Sequence, residues 1–380
     1  MEKLLKLLCE ASTDWENRIE IAGKHGVLPF LYEVCEDVKD CPDSVKEKIR
    51  VATVRTIKQS YRLLFLSKYL VTELEKEAIP VVLLKGVATA SFYPVPEYRK
   101  SGDVDLLLLD ADKLFACCEM LDRLGFQKKK QQEALHHVVY VSPEGIDVEL
   151  HIMLAEPFDN QKINKYLEKL IPECQKQVEW VEIMGVELPI LKPGYHGYEL
   201  LLHMLQHFLR AGFGLKLLCD WVVFWSAGHT REEQDIYLRL VKESGLKGFS
   251  DMVTLTCCRY LGLEKAKVTW MDVKEHYDTE EFLREILEAE EFGHSADERM
   301  VALRGDGVWD YVREFHHQMR LNFPGAGKCF LLWPVLWIVT LCRFLRNNRK
   351  LRNVSAREVF AKAGQRGKII KQMHLWEEKH

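Results

Sequence analysis

Apolar positions recur at intervals of three and four through residues 1–78, most clearly in "IRVATVRTIKQSYRLLFLSKYLVTELEKEAI", with charges set between them. That period predicts helix across the region, starting with the amphipathic "MEKLLKLLCE" and closing at Pro80. At Val81 the pattern changes. "VVLLK" is β-branched and apolar and predicts a strand, "GVATASFY" a short helix opened by Gly86, and "PVPEYRKSG" a loop. "DVDLLLL" predicts a second strand, apolar enough to be buried on both faces. "DADKLFACCEMLDRLGF" predicts a helix from Asp110 to Gly125, and "HHVVYVSPEGIDVELHIML" a hairpin turning at "SPEG". Strand, helix, strand, helix and hairpin in about 75 residues make a compact α/β unit.

Beyond Pro157 the helical period returns and runs to about residue 320. It is interrupted once, by the alternating "VEWVEIMGVELPIL", which predicts a hairpin with its turn at Met184–Gly185. An aromatic, apolar run, "CFLLWPVLWIVTLCRFL", then precedes a basic tail. The patterning predicts an α+β chain: a small mixed sheet with helices at 79–156, flanked by an N-terminal helical region at 1–78. A larger helical domain with one hairpin follows at 157–327, and the aromatic and basic tail at 328–380.

Composition changes this picture little. Apolar residues at 47% and charged residues at 29% are those of an ordinary globular protein. A net charge of −4 argues against a global coat of nucleic acid. The eleven cysteines show no C-x-x-C spacing and read as reduced thiols of a cytoplasmic protein. The N-terminus lacks the long apolar core of a signal peptide.

The candidate chemistry lies at the mouth of the second strand. Side chains alternate along a strand, so Asp103 and Asp105 project the same way, with Cα atoms about 6.5–7 Å apart. Two like charges so close repel unless a cation sits between them, and removing either is expected to relieve that repulsion. A hard divalent ion with carboxylate oxygens and substrate phosphates is the arrangement of metal-assisted phosphoryl or nucleotidyl transfer. Alone the pair is weak, since a chain of this acidity shows roughly eight acid-x-acid triplets by chance. "GIDVELHI" strengthens it. There Asp147, Glu149 and His151 share one face while Ile146, Val148 and Leu150 share the other, and acids on a core strand need partners. Lys85 and Gly86 sit at a strand-to-helix turn, where glycine lets backbone N–H groups approach a phosphate. Arg99, four residues before Asp103, can pair with phosphate or with the carboxylates.

The series "LLKGVATASFY…YRKSGDVDLLL…LGF…HH…VELH" resembles the nucleotidyltransferase superfamily with the DNA polymerase β-like fold. More narrowly, it is similar to a poorly characterised bacterial nucleotidyltransferase family with a K-G turn, an R-x-x-G-D-x-D-L strand and an E-l-H strand. Likeness continues through "LKPGYHGYELLLHMLQHF", "GLKLLCDW" and "ILEAEEFG", covering about residues 60–345. The resemblance implies Mg²⁺ or Mn²⁺ on Asp103, Asp105 and Glu149, with Asp147 in reserve for Glu149. It implies an NTP whose NMP moves to a hydroxyl or phosphate acceptor while pyrophosphate leaves, the acceptor being a small molecule, sugar or peptide. Superfamily enzymes usually carry Gly-Ser at the turn. Here Val87 follows Gly86, so phosphate grip falls to backbone N–H groups, Lys85 or Thr89, with Arg99 and His151 beside the carboxylates.

Two other function classes stay open: a toxin-like transferase acting on RNA or protein, and a degenerate nucleotide-binding module without turnover. The only basic run near the site is the short "KKKQQ", which argues against a nucleic-acid track. His203 and His207 are spaced i, i+4 on a predicted helix; they read either as packing residues or, with Asp220, as the lining of a nucleotide or acceptor cleft. The tail also has two readings. Residues 330–345 fall short of the roughly 20 that span a bilayer, and Pro334 interrupts them. They form either a helix docked on the body or, with the cations that follow to residue 372, a peripheral contact with an anionic membrane at its cytoplasmic face.

Overall fold

Strands form where the β-branched and leucine runs lie. In a computed structural model the chain is described at residues 14–36, 38–129, 137–158, 160–210, 212–271, 277–289, 312, 316, 319–320, 323, 325, 329–351 and 366–376. The opening "MEKLLKLLCE" lies outside the described residues. Three helices lead in: α1 (Trp15–Lys24), α2 (Tyr32–Glu36) and the 34-residue α3 (Asp43–Lys76). The α/β unit follows as β1 (Val81–Leu84), α4 (Lys85–Ala90), β2 (Asp103–Leu108), α5 (Leu114–Arg123), β3 (Gln127–Lys128), β4 (His137–Val141) and β5 (Asp147–His151). Next come α6 (Gln161–Cys174), β6 (Val178–Ile183), β7 (Val186–Leu191), α7 (Pro193–Arg210), α8 (Leu215–Ser226), α9 (Arg231–Glu243), α10 (Lys247–Thr256), α11 (Thr279–Ala289) and α12 (Trp333–Leu351).

One mixed sheet of seven strands runs in the order β3-β4-β5-β2-β1-β7-β6. Strand β2 lies antiparallel to β1 and parallel to β5, while β7 joins β1 in parallel through Leu83 and Ile190. The β6–β7 hairpin, expected inside the helical region 157–327, is therefore an edge of the core sheet itself. Its alternation was readable; its partner was not, because one parallel bridge leaves no local signal.

The sheet separates two apolar cores. On one face Val81, Leu83, Val104, Leu106, Leu108, Val148 and Leu150 pack against Leu63, Leu70 and Leu74 of α3 and Met120 and Leu121 of α5. On the other, Val82, Leu84, Leu107 and Leu191 join the core built by α6 to α11. Burying each such side chain contributes about 1.5–3 kcal/mol. Helix α3, about 50 Å long, spans both cores: Val45 and Ile49 enter the second and the leucines nearer its end enter the first. Gly197 lets α7 and α8 approach closely, since a Cβ there would stand 2.8 Å from the Phe224 ring.

The last described segment returns to this helical body. Ile369 and Met373 are buried in it, Arg366 is buried with its Nε 3.2 Å from Glu285, and the Trp376 N–H donates to the Gly245 carbonyl. Residues 366, 369 and 373 thus face protein. Among the described residues no helix is long and apolar enough to cross a membrane.

Candidate active site

The polar residues of β2 and β5 collect on the sheet face turned towards α7 and α8. Parallel pairing sets Asp103 opposite Asp147 and Asp105 opposite Glu149, so all four acids share that face. Strand β1 ends with Leu84 opposite Asp105, which brings the Lys85–Gly86 turn beside the second carboxylate. Both turn residues have positive φ, 41° and 25°. Glycine tolerates this; for Lys85 it costs on the order of 1–2 kcal/mol and needs support from its surroundings.

That support comes from Arg99. Its Nε and Nη2 donate to the two carboxylate oxygens of Asp220, each at 2.8 Å, and its Nη1 donates to the Gly86 carbonyl at 2.9 Å and the Ser101 hydroxyl at 2.5 Å. The Tyr93 hydroxyl adds a third bond to Asp220, at 2.7 Å. Helix α8 thereby holds the turn through one buried guanidinium. Burial disfavours a charged Arg99, yet the Asp220 carboxylate beside it raises its pKa further above the usual value. Arg99, read from sequence as a partner of phosphate or of the carboxylates, and Asp220, read with the two histidines as one lining of a cleft, are each other's partners here.

Asp105 is the node of the site. Lys85 Nζ donates to its Oδ1 at 3.0 Å, and His151 Nε2 lies 2.9 Å from the same atom and 3.4 Å from Glu149 Oε2. Ligand atoms of Asp105, Glu149 and His151 all lie within 4.8 Å of one another, a group that could hold a metal ion. Burial favours a neutral Asp105, but Lys85 and His151 hold its pKa well below the ordinary carboxylate range. The His151 hydrogen bond likewise lowers Glu149. Against burial and the Lys85 charge, those two carboxylates raise His151.

Asp103 differs. Burial, then repulsion from Asp105, pushes it up to about 6. It stands next to the group within 4.8 Å and is not part of it. Asp147 pairs with Lys129 at 2.6 Å on the outer side, which leaves Glu149 as the carboxylate that meets Asp105. Thr89 is fully buried, with its hydroxyl 3.4 Å from His196 Nε2, so the structure brings it to that ring and not to the carboxylates.

Helix α7 covers this face. His203 packs edge-on against His207 with ring centroids 4.5 Å apart, and burial, His207 and Lys85 hold its pKa well below the imidazole value. One turn earlier stands Glu199, which the sequence reading missed. It is buried, with no side-chain hydrogen bond among the described residues, and lies against the backbone and the ammonium of Lys85. Burial pushes it up to about 7, opposed by Lys85 and assisted by Asp105. The signal was present: Glu199, His203 and His207 repeat every four residues through an apolar helix, so a charge rides on the same face as the two histidines.

A family model described as an uncharacterised nucleotidyltransferase matches residues 11–262. The comparison with curated proteins finds no match. Among solved structures the chain is similar to an antigenic nucleotidyltransferase-like protein from Paracoccidioides brasiliensis. Identity is 20% and the TM-score 0.31, covering 48% of this chain and 88% of that one.

Proposed function

The chain belongs to the family of uncharacterised nucleotidyltransferases, and from that premise we propose that it moves an NMP from an NTP to a hydroxyl or phosphate acceptor, releasing pyrophosphate. The observation that carries this reading is the convergence of Asp105, Glu149 and His151 beside the Lys85–Gly86 turn. The donor set fits a divalent cation. Asp105 and Glu149 offer oxygens within reach of each other, and Asp103 on the same face is raised by burial and by an excess of negative charge that a cation would relieve. Hard oxygen donors suit Mg²⁺ or Mn²⁺. His151 then keeps the part it plays here, one ring nitrogen that orients both carboxylates. A bound divalent ion supplies charge neutralisation for the triphosphate and a lowered pKa for the acceptor hydroxyl.

The remaining roles belong to the chain itself. Arg99 and Asp220 hold the turn, so that Lys85 and the backbone at Gly86 meet the triphosphate in a fixed place. Lys85 neutralises charge that builds on the leaving pyrophosphate. Glu199, buried beside Lys85, is the second carboxylate available to the Lys85 ammonium when Asp105 is otherwise engaged. His203 lines the side of the cleft opposite the sheet.

The test is a screen of all four NTPs, labelled at the α- or the γ-phosphate, with Mg²⁺ or Mn²⁺ and fractionated small-molecule pools. Mass spectrometry then identifies the product. The reading expects α-label in the acceptor and γ-label in pyrophosphate. Transfer of the γ-label alone would make the protein a kinase and end it.

A further inference from the structure

The tail carries an apolar surface that the transfer reaction does not use. Phe330, Leu331, Leu332, Val335, Ile338 and Leu341 are each between 44% and 73% exposed. From Leu331 to Leu341 they follow helical spacing along one side of the polypeptide, and Pro334 and Cys342 are exposed on that side too. The other side is tied to protein. Trp337 Nε1 donates to His316 Nδ1 at 3.2 Å, the Trp333 ring meets the His316 ring at 4.4 Å, and Thr340 is buried. Helix α12 therefore has an inner face with partners and an outer face of large aliphatic residues.

Charge identifies what that outer face meets. Between Glu314 and Glu358 the sequence holds no acid, while it holds eight cations: Arg320, Lys328, Arg343, Arg346, Arg349, Lys350, Arg352 and Arg357. A chain with a net charge of −4 has thus gathered an acid-free basic segment around its most exposed apolar helix. A protein partner would need only the apolar match. An anionic bilayer leaflet rewards both features, since apolar side chains enter the acyl boundary while nearby lysines and arginines are drawn to the headgroups.

We propose that α12 seats on an anionic lipid surface, lying in the headgroup layer with Leu331, Val335, Ile338 and Leu341 turned into the bilayer. Arg366, Ile369 and Met373 take no part in that contact, because they are committed to the helical body. The catalytic sheet is then held at a membrane surface by a helix outside it, which favours acceptors presented there.

The experiment is co-sedimentation of the full chain with phosphatidylcholine vesicles, with and without phosphatidylglycerol. The chain is expected to pellet with the anionic vesicles, to leave them as salt is raised, and to stay in solution with the neutral ones. Val335→Asp with Ile338→Asp should lower partitioning about tenfold or more at an unchanged Tm, because both side chains are exposed. The milder pair Val335→Ser and Ile338→Ser should give a smaller loss. Absence of binding to anionic vesicles, equal binding to neutral ones, or variants that bind like the parent would overturn the proposal. So would a dimer that Ile338→Asp splits, since a second copy would then be the occupant. None of these readouts depends on nucleotidyl transfer.

Discussion

Strand β2 has two faces with opposite economies. Val104, Leu106 and Leu108 point into an apolar core shared with α3 and α5, where every neighbour is replaceable by another of similar volume. Asp103 and Asp105, one residue out of step, point to a charged face where Asp105 alone takes two partners, Lys85 and His151. The first face secures the sheet by many small contacts. The second depends on a few charged hydrogen bonds held at fixed places, and it carries the strained Lys85 and faces the buried Glu199. Changes on the two faces should therefore fail in different ways.

The largest effect belongs to the buried clamp. Asp220→Ala leaves Arg99 charged and unpaired in the interior and should cost about 3–5 kcal/mol in denaturant unfolding. Arg99→Lys should not rescue the turn, because one ammonium cannot reach Asp220 twice and the Gly86 carbonyl as well. On the apolar face, Leu106→Ala should cost about 2–5 kcal/mol and leave nucleotide affinity unchanged in calorimetric titration.

The two aspartates sharpen the contrast within one face. From sequence, removing either acid is expected to relieve repulsion. The structure changes that for Asp105, which accepts from Lys85 and pairs with His151; Asp105→Asn should destabilise by about 1.5–3 kcal/mol. Asp103→Asn should be neutral or slightly stabilising, because burial and Asp105 already push its pKa up to about 6. Equal losses from both substitutions, read from paired unfolding curves, would break this distinction.

A further effect is a pH slope. His196 packs against the rings of Phe92 and Phe224, and burial holds its pKa down to about 3 from an ordinary 6.5. The unfolded chain takes up a proton below pH 6.5 that the folded chain refuses until near pH 3. Stability from this residue is thus complete above 6.5 and is lost as the pH falls, by about 2 kcal/mol at pH 5. His196→Asn should flatten the melting-temperature profile between pH 7 and pH 5, and an unchanged slope would contradict the assignment.

Much of this was legible before the structure. Alternation in "DVDLLLL" and "IDVELHI" separates acids from aliphatics within each strand, and the parallel β2–β5 register then puts Asp103, Asp105 and Glu149 on one face. The partners of Arg99 were hidden because Asp220 lies 121 residues away and no local pattern links them. A buried guanidinium with a buried carboxylate looks, in sequence, like two ligand-binding charges. The partner of Thr89 was hidden for a related reason: a hydroxyl on a short helix shows no direction until the helix is placed, and here it turns to His196. Glu199 was lost among leucines, where a single acid reads as a tolerated exception until its burial is known.

The central claim is that the charged face of β2 and β5 is where nucleotide chemistry occurs. The most direct measurement is the rate of α-label transfer for Glu149→Gln and Asp103→Asn beside the parent chain, at saturating NTP and Mg²⁺ or Mn²⁺, with folding checked by Tm. The account predicts losses on the order of 10²–10³-fold at an essentially unchanged Tm, the scale of losing a principal group that stabilises transition-state charge. Rates within about twofold of the parent for both variants would place the chemistry elsewhere in the molecule and contradict it.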